Sequence, residues 1–536
     1  MDTTCANCQF DAIHPYFPSV NATELLRSGF SSFDISQASI TNDITRLEHE
    51  LRHIEPLFFK IRDRRDRLLQ DIGCCKTLLA PIRRLPRETL LQIFDLLSSQ
   101  SSDVCDGPWV LGHVCSTWRM ISRSCPSLWT KILISSPYSS YTLLNEHASL
   151  SGNLPIQLTV DCDSRYGLDG LHALVPHSQR WSSLDLNISP ETFFELLYSI
   201  SLPLIHLSMI NIAVCGEFAP PHHHRMADDN PFSSSPITEA TLHRIPYSYM
   251  PINVRVLQRF RVCSYDPAEI HSIFRNSQHL IEIVITTCPP PRFLNVEPLL
   301  PITYPPVVHT SLRQLSFVLT WENAGRITKI PVTLDYITLP ALNQFQILAS
   351  QTQPLPGILA GTLEPIEYSR IINLVHRSGC DLTDLTFSVP VPVNSFLLPM
   401  LRQSPALEKL DIFVDADTAG DVFRVLTLAE GKVPNLKKLR ITDAPCRGAV
   451  SGLLLQGDAF HAMVRSRLSG DSHLKTLRLS LKTAWSRQDL LIPIARDSPL
   501  RDLVKMKEEG LDVEFLFNLE DCLLEGEAFT LFFGSS

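Results

Sequence analysis

The stretch LEKLDIFV (407–414), with LKKLRITD (436–443) and LKTLRLSL (474–481) after it, decides the architecture of this chain. In each, apolar residues stand at positions 1, 4 and 6: Leu407-Leu410-Ile412, Leu436-Leu439-Ile441 and Leu474-Leu477-Leu479. Residues two apart share one face of a β-strand, so positions 4 and 6 predict a strand with one buried side. Position 1 turns the chain into that strand. The same phrase stands at Trp181-Leu184-Leu186, Leu280-Ile283-Ile285, Leu312-Leu315-Phe317, Leu342-Phe345-Ile347 and Leu382-Leu385-Phe387. From Leu280 onward it returns every 25 to 40 residues. Helix-like segments such as 365–382 and 419–431 fill the intervals. One strand with one helix is too small to bury its own apolar faces, and stacking copies solves this. The expected fold class is therefore α/β, with a solenoid of strand-helix units over 136–536. LRDLVKMKEEGLDVEFLF (500–517) predicts a last helix, Gly510 as its cap and a closing strand.

Upstream the period changes from two to between three and four. Ile44, Leu47, Leu51, Ile54, Phe58, Ile61, Leu68, Ile72, Cys75 and Leu79 form a heptad-type stripe, with Arg65 in one seam position. This predicts a long helix or coiled-coil-like segment over 38–80. Pro56 lies on its outward side and should kink or restart it. The seam can pack on its own copy or within the chain; Arg65 and Pro56 favour packing within the chain. Residues 1–37 lack a clear period and read as a flexible N-terminus.

Between the two lies PIRRLPRETLLQIFDLL (81–97), a polar gap, then WVLGHVCSTWRMISRSCPSLWTKI (109–132). Pro86 suits the first position of a helix, and Glu88 sits where the helix dipole favours negative charge. Leu90, Ile93, Phe94 and Leu97 fall at i, i+3, i+4 and i+7, one continuous stripe. Leu111, Val114, Cys115 and Trp118 repeat that spacing. About fifty residues cannot bury so much apolar surface alone, so part of it is expected to meet another protein.

Over 81–135 the sequence resembles the F-box, the adaptor-docking module of cullin-based ubiquitin ligases. The resemblance rests on Leu85, Pro86, Glu88, Leu90, Ile93, Phe94 and Leu97, then Val114, Cys115, Trp118 and Arg119, then Pro126, Leu128 and Trp129. It implies a three-helix module. It also implies that Leu85, Pro86, Glu88, Leu90, Ile93, Phe94, Leu97, Val114, Cys115, Trp118, Leu128 and Trp129 bind a Skp-type adaptor, and through it cullin and RING subunits. The phrases beyond 136 resemble an irregular leucine-rich-repeat horseshoe, a domain often joined to an F-box. They depart from the regular pattern. The Asn or Cys at position 9 is matched only by Cys288, so the turns must be satisfied locally, and the repeats exceed the usual length. Together the resemblances imply the substrate-recognition subunit of an SCF-type ligase, with no catalytic residue of its own.

Other classes find little support. Charged residues are 19% of the chain and the net charge is −9 with no long basic run, against a nucleic-acid surface. In RDRRDR (62–67) the arginines alternate with Asp63 and Asp66, as on a solvated helix face. No apolar run approaches a membrane span, and MDTTCANCQF is no secretion signal. The 14 cysteines have no regular spacing, which favours reduced thiols in a cytoplasmic or nuclear protein. Hydrolase, metalloprotease, phosphate-loop and dinucleotide motifs are absent. Cys5 and Cys8 form a single CxxC, and His222, His223 and His224 lie in a His/Pro/Ser-rich loop at 216–237. Neither supplies a four-ligand metal site, and no cofactor is expected. Two alternatives remain: a scaffold outside any ligase, whose F-box-like helices cap the solenoid, and a CxxC-dependent metal or redox protein.

Overall fold

The computed structural model describes residues 18–19, 21–28, 37–99, 103–135, 140–161, 168–215, 231–247, 250, 252–264, 266–287, 303–320, 330–349, 365–414, 418–427, 433–443, 456–468, 474–481, 506–507 and 510–517. The chain divides into two compact units, Met1–Gln92 and Ile93–Ser536.

The first unit holds α1 (Ala22–Ser28), α2 (Gln37–Leu78), a 3-10 turn (Pro81–Arg84) and the start of α3 (Arg87–Ser99). α2 runs unbroken for 42 residues with Pro56 inside it, so the expected restart does not occur. Pro56 is exposed, which lets water take the hydrogen bond that Arg52 C=O loses. Near its start, buried Asp43 accepts hydrogen bonds from Ser19 N–H (2.9 Å) and Oγ (2.6 Å). The heptad stripe is exposed along most of the helix.

The second unit continues through α4 (Gly107–Val114), α5 (Ser116–Arg123) and a 3-10 turn (Pro126–Trp129) into the sheet. Its first strands are β1 (Lys131–Ile134), β2 (Ile156–Asp161), β3 (Trp181–Ile188), β4 (Met209–Val214), β5 (Glu239–Pro246), β6 (Arg259–Ser264) and β7 (Glu282–Thr287). β8 (Val307–Val308) pairs separately with β10 (Ile337–Thr338). The main sheet goes on with β9 (Gln314–Leu319), β11 (Gln344–Ala349), β12 (Asp384–Phe387), β13 (Lys409–Val414), β14 (Lys438–Asp443), β15 (Thr476–Leu481) and β16 (Asp512–Phe517). Fourteen strands stand in chain order, and all pairs are parallel. Helices on the connections include α6 (Tyr141–Leu150), α7 (Leu168–Leu174), α8 (Pro190–Ser199), α9 (Pro267–Asn276), α10 (Pro365–Ser378), α11 (Leu398–Gln403), α12 (Ala419–Leu426) and α13 (Gly457–Leu468). The architecture is mixed α/β with a parallel sheet, as stacked strand-helix units require.

Phrase position 4 forms one register row across the sheet: Ile132, Leu158, Leu184, Ile210, Ala240, Phe260, Ile283, Leu315, Phe345, Leu385, Leu410, Leu439, Leu477 and Val513. Every member is buried. Residues between them face the other side and pair by charge across neighbouring strands: Arg259 with Glu239, Lys409 with Asp384 (3.3 Å), and Arg478 with Glu514 (2.8 Å). Between β5 and β6 the register shifts beyond Thr241, and Arg244 there takes a positive φ of 61°.

The backbone groups that lead into the strands stand at positions 2 and 3 of the phrase, away from the position-9 turns. Each draws on the unit before it. Glu408 C=O accepts from both Lys437 and Lys438 N–H (2.8 and 2.9 Å), and Thr383 C=O from Glu408 and Lys409. The same two-donor pattern recurs at Gln258, Ile281, Arg313, Asn343 and Lys437. Arginines satisfy further loop carbonyls: buried Arg467 donates to Leu426 and Val433 C=O (both 2.8 Å), and Arg377 to Leu334 and Ile337 C=O. Burial pushes the Arg467 guanidinium down to about 10, the cost of holding a cation in the core.

The chain reaches β16 through Gly510, whose φ of 101° lets Leu511 N–H return to Met506 C=O (3.1 Å), a glycine-capped helix end. Most of that expected helix lies outside the described residues, as do Cys288, the CxxC and the three consecutive histidines. Residues 216–230 of the polar loop do too; its end is packed, with Phe232 and Ile237 buried.

Candidate functional site

In the first unit, Leu85 N–H closes the 3-10 turn on Ile82 C=O, and Leu85 itself is half-buried. Pro86 precedes the first residue of α3 and its carbonyl accepts from Leu90 N–H (3.1 Å), so it flanks the helix start instead of occupying it. Pro86 and Glu88 are exposed, and Leu90 is buried.

In the second unit the stripe splits by depth. Phe94 is fully buried and its ring lies 4.9 Å from that of half-buried Trp118. Ile93 and Cys115 are half-buried, whereas Leu97 and Val114 are exposed by half or more. Leu96, Val110 and Met120 are exposed as well. Sequence reading passed over these three, since they lie off the i, i+3, i+4 stripe that marks a packed face. Arg119 Nε donates to Gly112 C=O (2.8 Å), satisfying a carbonyl of α4 that the helix itself leaves open.

Leu128 and Trp129 belong to the interior. Trp129 Nε1 donates to Ser122 C=O (2.8 Å), and its ring lies 4.9 Å from Trp109 and 5.0 Å from His147. The connection after α3 is stitched to β1: Val104 N–H reaches Leu133 C=O (2.7 Å), and the Asp103 carboxylate accepts from Ser135 N–H and Oγ. Burial pushes the Asp103 carboxyl up, but the bonds from Cys105 and Ser135 outweigh it and leave its pKa lowered. β1 opens the main sheet. A sequence boundary at 135/136 thus separates β1 from the sheet to which it belongs.

His147, on α6, sits under this junction. Burial pushes its imidazole down to about 4, partly offset by the Lys131 and Trp129 carbonyls; Nδ1 accepts from Trp109 Nε1 (3.3 Å). The ring is thus neutral in the fold and protonates more readily when unfolded. Stability should be intact above pH 6.5 and fall as pH drops from 6.5 to 4, by about 3 kcal/mol. Urea titrations of wild type and His147→Gln at pH 7 and pH 4.5, followed by tryptophan emission, measure this. The variant should lose less with pH, and an equal loss would assign the titration elsewhere.

On the sheet's polar side, a shallow recess of about 340 Å³ opens at the starts of β6, β7, β9 and β11, lined by groups including Arg259, Glu282, Arg313 and Asn343. Among the described residues no group of three or more His, Cys, Asp or Glu is placed to hold a metal ion. Cys74, Cys75, Cys105, Cys115, Cys125, Cys215 and Cys380 are free; Cys263 is disulfide-bonded, a departure from the expected reduced set. No described helix is long and apolar enough to cross a membrane.

The F-box-like family model matches residues 82–135. The chain therefore carries an F-box-like domain, which spans α3 to β1. No curated protein matches the chain.

Proposed function

We propose that this protein is the substrate-recognition adaptor of a cullin-RING, SCF-type ubiquitin ligase. The F-box-like match carries the reading. The exposure of Leu96, Leu97, Val110, Val114 and Met120 on helices whose other faces are packed supports it. F-box domains generally bind Skp-type adaptors, through which cullin and RING subunits join. In this reading Leu97 and Val114, with Pro86 and Glu88 from the first unit, contact the adaptor directly. Within the second unit Ile93, Cys115 and Trp118 are half-buried and Phe94, Leu128 and Trp129 pack the interior; within the first, Leu85 is half-buried and Leu90 buried. The stacked units, read as an irregular leucine-rich-repeat domain, hold a target protein on their polar side. The chain contributes position and effective concentration, and no bond-making group.

The second reading, a scaffold whose helices cap the sheet, draws on the stitching of Asp103 and Val104 to β1. Capping occupies only the inner side of the segment, and the exposed leucine and valine separate the two readings. Full-length protein carrying Leu97→Asp and Val114→Asp should lose co-purification with a Skp-type adaptor by roughly 100-fold, as when central apolar anchors are removed. Its circular dichroism and melting temperature should stay near wild type, because both side chains already face solvent. A wild type that recovers no Skp-type adaptor would favour the capping scaffold, and adaptor retained by the double variant would place the contacts away from Leu97 and Val114.

A further inference from the structure

We propose that α2 pairs with α2 of a second copy of this chain as an antiparallel, two-stranded coiled coil. The seam between Ile40 and Cys75 keeps heptad spacing over nearly the whole helix and is interrupted only at Arg65. Its leucines, isoleucines and Phe58 are 37–61% exposed, half-buried Ile54 excepted. Five consecutive heptads exceed what a coiled-coil seam needs, and an unpaired apolar stripe of that length is costly in water.

The occupant follows from register and charge. Laid antiparallel in full overlap, the seam pairs Ile44 with Cys75, Leu47 with Ile72, Leu51 with Leu68 and Phe58 with Ile61 of the second copy. Arg65, which pairs with Asp66 of its own helix (2.8 Å), then meets Ile54 and the neighbouring Glu55, a second carboxylate beside the one cation in the seam. Flanking positions agree: Glu48, Glu50 and Glu55 lie in the first half of the helix, and Arg62, Arg64 and Lys76 in the second. Reversing one helix sets the acidic half beside the basic half and brings Glu55 next to Arg62. Asp71, which comes beside Glu50, is the exception. A parallel pair would instead stack Arg65 on Arg65 in one layer and place Glu50 beside Glu55, two like-charge contacts. Pro56 falls on the outer side in either case.

Light scattering on the full-length chain should give twice the 60.3 kDa of one copy. Leu51→Glu with Leu68→Glu, which are partners across the seam, should raise the dissociation constant by roughly 100-fold or more while helicity is retained. Direction is read by two further variants. Ile44→Cys should form, on mild oxidation, a disulfide between copies that peptide mass spectrometry maps from position 44 to Cys75. Glu55→Arg alone should weaken the dimer by roughly tenfold, and adding Arg62→Glu should restore it. A monomeric wild type overturns the proposal. So does a Cys75-to-Cys75 link, or a dimer that Glu55→Arg tightens, since both mark a parallel pair.

Discussion

Trp129→Ala should lower the stability of the second unit by about 3–5 kcal/mol, the range for deleting a large buried aromatic. The side chain is 1% exposed. Through Nε1 it holds Ser122 C=O at the end of α5, and through its ring it packs on Trp109 and His147. Removing it leaves a cavity and takes one donor from Ser122 C=O, which keeps Cys125 N–H (3.2 Å), so the cavity carries most of the cost. Trp129→Phe keeps most of the volume and loses only the N–H, and should cost about 1–2 kcal/mol. Urea unfolding of the full-length variants, followed by circular dichroism, provides the comparison. Should alanine cost no more than phenylalanine, the ring would not be filling the interior as described.

The second large effect lies in the sheet. Leu410→Ala and Leu439→Ala should each lose about 2–5 kcal/mol, since both are about 1% exposed and stand opposite each other in β13 and β14. Because they share neighbours, the double variant should depart from the sum of the singles. Their outward neighbours behave differently. Lys409 pairs with Asp384 at 3.3 Å in a half-exposed setting, and such pairs contribute about 0.2–1 kcal/mol. Lys409→Ala and Lys438→Ala should therefore barely move the melting temperature. Lysine losses as large as the leucine losses would mean the faces of β13 and β14 are exchanged.

The eight strands read from the repeated phrase share a large apolar residue at position 1, with a polar residue between 4 and 6 in all but one, where Val284 stands. Strands that went unread carry the same spacing with less contrast. β4 follows Leu207-Ile210-Ile212, but Leu204, Ile205 and Met209 surround it and blur which face is buried; the structure exposes Met209 and buries Ile210. β5 follows Ile237-Ala240-Leu242, where Ala240 gives little hydrophobic signal. β6 follows Leu257-Phe260-Val262, and β1 follows Trp129-Ile132-Ile134, whose first residue is also the last of the helical segment's pattern. β2 has Pro155 in the leading place. In the helical segment, periodicity singled out Leu90, Phe94 and Leu111, which are buried, but also Leu97 and Val114, which are exposed; Leu128 and Trp129 stood out only through the family resemblance. The exposed Leu96, Val110 and Met120 left no comparable trace, because exposure depends on neighbours brought together only by folding.

The two-donor carbonyls and the stitching of β1 have a mechanical consequence. From Val104 through the last strand, successive described backbones are bonded side by side, at roughly 4.8 Å per step. A target gripped at β6 and one gripped at β13 would sit at different fixed distances from whatever holds the helices. On the proposed reading, the sheet acts as a ruler. The choice of strand then determines which lysines of a target come within reach of the charged ubiquitin donor, before any contact with the target's own chemistry.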